Sequence, residues 1–129
     1  MAELCAVVGV GQTKHAACRA DVSIAGLVRE AVDRALADAN ITIDDVDAIV
    51  IGKAPDSLEG VAMPELWLTD ALAAHGKPVF RGHTAGSVGG STAIVAAQHV
   101  MESWCSAMYL QGINPFFDKS GVDLVEGCH

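Results

Sequence analysis

The stretch best suited to chemistry is Arg81-Gly82-His83-Thr84-Ala85-Gly86-Ser87-Val88-Gly89-Gly90-Ser91. It joins a short β-rich run to a long apolar one and consists largely of glycines and small hydroxyl residues. Strand, small-residue turn and apolar helix together form a general active-site device of α/β proteins. Glycine lets a ligand or nucleophile reach the backbone, and amides at a helix start stabilise developing negative charge. Gly86 has two readings, helix-start geometry at an active site or plain packing. Ser87 is either a nucleophile, for which the sequence identifies no base, or a capping hydroxyl. His83 either lines a pocket or bonds to backbone at a strand end. Gly89 and Gly90 serve substrate approach or close helix packing.

Other reactive side chains are scattered. Cys5, Cys18, Cys105 and Cys128 have no CxxC or zinc-finger spacing. Cys5 lies in an apolar run and reads as a small buried residue. His99 and Cys105 are six apart, which places them on different faces of a helix. His99 reads as a hydrogen-bonded core residue. Lys14 and His15 lie in a polar loop, either solvated or contacting phosphate. No metal site is predicted. Gly9-Val10-Gly11 lacks the third glycine of a dinucleotide fingerprint and an immediate helix, and no Walker sequence occurs.

The elements that must position the turn follow from periodicity. Leu4–Val10 is a continuous apolar run, predicted as a strand buried on both faces. Asp21 is predicted to cap a helix that runs to Ala39, with help from Ser23. Its apolar stripe is Ile24, Leu27, Val28, Ala31, Val32, Ala35 and Leu36. Glu30 and Arg34 make an i,i+4 pair, and Asn40 stops the helix. Asp44–Asp47 reads as a solvated acidic loop. Ala48–Gly52 is a second buried strand, completing a βαβ unit with parallel strands. A loop over Lys53–Val61 precedes a helix from Pro64 to about Ala74. Lys77–Phe80 is predicted as a third short strand. Thr92–Met101 is so apolar that it belongs inside a protein, and Ala107–Leu110 is a further strand.

The composition excludes several classes of function. The 129 residues carry 8 basic and 16 acidic side chains, a formal net charge of −8. That sign argues against nucleic acid or an anionic membrane as main partner. Hydrophobic residues make up 51% and charged residues 19%, too apolar for a disordered chain. The excess reads as surface meant for burial against more protein. No stretch approaches the ~20 apolar residues of a membrane span. Without a signal-peptide pattern, a reduced, cytoplasmic protein with free thiols is expected.

Val7-Val8-Gly9-Val10-Gly11-Gln12-Thr13, the helix Ser23–Ala39, the run Ile43–Gly52 and the glycine-rich helix start, in that order, resemble the N-terminal part of a thiolase. The nearest subgroup is the sterol-carrier-protein type, also called lipid-transfer proteins or acetyl-CoA acetyltransferases in actinobacteria. Lys53–Leu66 resembles one part of that subgroup. The similarity covers residues 4–101, which divides the chain into a partial thiolase-like domain, 1–101, and a divergent tail, 102–129.

The resemblance implies an α/β class: the N-terminal portion of an αβαβα fold, with a parallel-rich mixed sheet and a buried central helix. It implies acyl-CoA chemistry in lipid or steroid degradation, with coenzyme A entering as substrate thioester and no cofactor. It implies a homo- or hetero-oligomer through thiolase-type subunit pairing. The family's nucleophilic cysteine opens a Cys-Ala-Ser-Gly-Gly pattern. Here that stretch is Gly86-Ser87-Val88-Gly89-Gly90, so Gly86 stands where the nucleophile belongs and no acyl-enzyme can form there. The family's catalytic histidine and second cysteine belong to the other half of the fold. The chain alone is therefore expected to be inactive. A non-catalytic interaction module and a truncated gene product are the alternatives.

Overall fold

The structure is a computed structural model that describes residues 5–14, 16, 19–53 and 62–102, together with the backbone of 108–113. His15, Cys18, Cys105, Cys128, most of the predicted Lys53–Val61 loop and most of the tail lie outside the described residues. Among the described residues, eight elements follow in order. They are helix α1 (Ile24–Ala39), a 3-10 turn (Ile43–Asp45), strand β1 (Ala48–Lys53), helix α2 (Pro64–Trp67), strand β2 (Val79–Gly82), a 3-10 turn (Ala85–Ser87), helix α3 (Val88–Met101) and strand β3 (Met108–Ile113).

Helix α1 starts at Ser23, whose hydroxyl accepts from the Gly26 amide at 3.2 Å. Asp21 does not cap it. The Arg19 guanidinium engages both Asp21 oxygens at 2.9 Å, and this pairing holds the Asp21 carboxyl below its usual pKa. Asn40 ends the helix in the left-handed conformation, φ 54°, and Ile41 donates to the Leu36 carbonyl. The predicted Glu30–Arg34 pair forms at 2.7 Å. The acidic loop has structure of its own. Asp45 accepts from the Thr42 amide at 2.8 Å and from its hydroxyl at 2.9 Å. These bonds, the amide first, lower the Asp45 pKa.

The three strands form a parallel sheet in the order β2–β1–β3. Every residue of β1 is buried. On one face Ile49 and Ile51 pack with Val28 and Val32 of α1 and with Leu68, Leu72 and Ala74. Side chains alternate along a strand, so Gly52 turns to the opposite face. There it meets Val88 and Thr92 of α3.

Several predicted boundaries move. β2 begins at Val79, because Pro78 lacks an amide and instead gives its carbonyl to Ile49 at 3.0 Å. β2 then runs on to Gly82. The second helix keeps only Pro64–Trp67. Past it, the Thr69 hydroxyl bonds back to the Glu65 and Leu66 carbonyls, a contact that competes with helical geometry, and Ala73 takes φ 50°. The last strand is Met108–Ile113.

The largest departure concerns the first predicted strand. Cys5–Val10 pairs with no strand among the described residues, and Val7, Val8 and Val10 are exposed. Instead it lies on α1. A Cβ on Gly9 would come within 2.6 Å of the Ala35 carbonyl oxygen and 2.7 Å of the Ala39 Cβ, and one on Gly11 within 2.1 Å of the Ala31 oxygen. Two residues of chain thus advance by one helical turn, the ratio of an extended segment running antiparallel to a helix. The Val10 amide donates to Asp38 at 2.9 Å, and Arg34 donates to the Gln12 carbonyl. β1 has β2 on one side and β3 on the other, so the predicted βαβ unit through α1 does not form.

Helix α3 buries a single stripe, Val88, Thr92 and Ala96, against the sheet. Ile94 stays exposed, so the helix is central to the fold without being covered on all sides by this chain. Contact with the sheet depends on glycine. A Cβ on Gly52 would stand 2.0 Å from the Thr92 hydroxyl oxygen, and one on Gly82 3.0 Å from it. Gly82, Gly52 and Gly112 share one register row. Gly52→Ala is therefore expected to cost about 1–3 kcal/mol in chemical denaturation. Gly76→Ala, whose Cβ meets no atom, costs less and only through its positive φ.

Candidate functional site

The glycine-rich turn sits at the carboxyl end of β2. The chain steps from β1 outward to β2 and then back across β1 to β3, so the strand order reverses there. In open parallel sheets, ligands bind outside the carboxyl ends of the strands at such a reversal. The corner is sharp. Thr84 has φ −139° and ψ 39°. Ala85 has φ 46°, a left-handed conformation uncommon for a residue with a Cβ.

The hydroxyls brace the corner. Ser87 Oγ donates to the Thr84 carbonyl at 2.9 Å. Ser91 Oγ donates to the Val88 carbonyl at 3.0 Å and shares a further hydrogen bond with Thr84 Oγ1. Ser87 stands at the N-cap position of α3, yet its side chain makes no cap bond. No imidazole among the described residues bonds to it. The amides of Ser87 and Val88 are also committed, to the Thr84 and Ala85 carbonyls. Beyond them the first turn of α3 offers Gly89 and Gly90.

Gly86, Gly89 and Gly90 have no atom within 4 Å of a Cβ built on them. Among the described residues nothing packs against these glycines, and all three are exposed. The packing glycines are Gly52 and Gly82, which sequence reasoning missed. Their only trace in sequence is a glycine near the carboxyl end of each strand, Ile51-Gly52-Lys53 and Arg81-Gly82-His83. His83 is exposed, and no strand-end bond to backbone forms among the described residues. His99 is half-buried and stacks on Phe80 of β2, with ring centroids 4.6 Å apart and planes 22° apart.

Charge lies on the other face of the same sheet end. Lys53 closes β1 and is only 1% exposed. Arg81, in register with Ile51, approaches Glu65 of α2 at 3.7 Å. Neither Lys53 nor Arg81 was a candidate from sequence, because a cation ending an apolar run reads as the start of a loop. Lys14 is exposed. Cys5 is exposed rather than buried in a strand. It borders a cavity of about 380 Å³ formed by the Cys5–Gly11 segment, Ala35 and α3. No helix among the described residues is long and apolar enough to cross a membrane.

No family model matches the sequence, and no curated protein does. Among solved structures, the chain is similar to 3-oxoacyl-[acyl-carrier-protein] synthase III from Aquifex aeolicus VF5, at 19% identity and a TM-score of 0.53. The likeness covers 64% of this chain and 27% of that one, so the chain spans about a quarter of its neighbour's length. At this identity the likeness concerns the fold alone, an α/β arrangement, in agreement with the α/β class read from sequence.

The open space at position 86 gives a direct test of the corner. Gly86→Cys, with the four native cysteines replaced by Ser, is expected to fold like its parent. Its thiol is expected to titrate about one unit below the usual value near 8.5, through the α3 dipole. The rate of iodoacetamide alkylation against pH measures this. An ordinary thiol would show that the corner exerts no such field.

Proposed function

We propose that the chain is an acyltransferase-type domain that holds an acyl thioester at the Gly86–Gly90 corner without forming a covalent intermediate. The observation that carries this reading is the open helix start at a strand-order reversal in a thiolase-like fold. A thioester carbonyl needs a close backbone approach and donors for the charge that develops on its oxygen. Gly89 and Gly90 supply the approach, and the positive end of α3 favours the charge. His83, exposed just before the turn, is placed to line the bound group. Position 86 has no side chain, so the bond-making step of thiolysis has no nucleophile there. Ser87 is a poor substitute, because its hydroxyl is held by the Thr84 carbonyl and lacks a base. Binding of a coenzyme A ester, or non-covalent carbon–carbon cleavage of retro-aldol type in a larger assembly, suits such a corner better.

The sequence resemblance supports a narrower reading. It favours the sterol-carrier-protein subgroup, a role in lipid or steroid side-chain breakdown, and pairing with a thiolase-type subunit.

Amide NMR with acetyl-CoA tests the proposal. Shifts at Gly86, Ser87, Gly89 and Gly90 that free coenzyme A does not produce are expected, and shifts confined to other regions overturn it. The wild-type chain is expected to show no thiolysis of acetoacetyl-CoA, and turnover would contradict the non-covalent assignment. Gly86→Cys is expected to become acetylated at position 86 when incubated with acetyl-CoA, as read by peptide mass spectrometry. Tighter binding of a steroid acyl-CoA than of acetyl-CoA would support the subgroup.

A further inference from the structure

No further inference is drawn: the strongest candidate, the apolar cavity of about 380 Å³ between residues 5–11 and helix α3, carries nothing, because nothing in the structure shows what covers or fills it.

Discussion

The approach of α3 to the sheet is the constraint on which the rest of the structure depends. The Thr92 hydroxyl, fully buried and donating to the Val88 carbonyl, occupies space that side chains on Gly52 and Gly82 would fill. That close seat fixes the height of the α3 start above β1 and β2. With the helix at that height, the chain leaving β2 must turn sharply, and Ala85 takes up the turn in a left-handed conformation. The hydroxyls of Thr84, Ser87 and Ser91 then hold the corner.

Two sets of glycines in one short region therefore do opposite work. Gly52 and Gly82 are small because atoms press on them. Gly86, Gly89 and Gly90 are small with nothing beside them. Spacing alone does not separate these cases, and both readings of Gly86 were open on sequence. The neighbours decide: Thr92 of α3 presses on both Gly52 and Gly82. With Gly86 open, no neighbour among the described residues requires its small size.

The two faces of the sheet differ in kind. Toward α1 and α2 lies the hydrophobic cluster around Ile49 and Ile51, ending in the buried Lys53 and the Arg81–Glu65 contact. Toward α3 the surface is uncharged and lined with small residues, and it continues into the cavity beside Cys5–Gly11.

Sequence alone determined the local features. The stop at Asn40, the Glu30–Arg34 pair, the buried strand at Ala48 and the glycine corner after β2 depend on a few neighbouring residues and were legible from them. Capping was nearly legible: Ser23 holds the helix start because Arg19 captures Asp21. Tertiary structure decided where Cys5–Val10 lies. A β-branched run reads as a buried strand whether or not a sheet edge is open to it. Here β3 lies beside β1, while Gly9 and Gly11 fit the surface of α1. Pairing of that kind is a competition between segments distant in sequence, and a local pattern carries no record of which one wins.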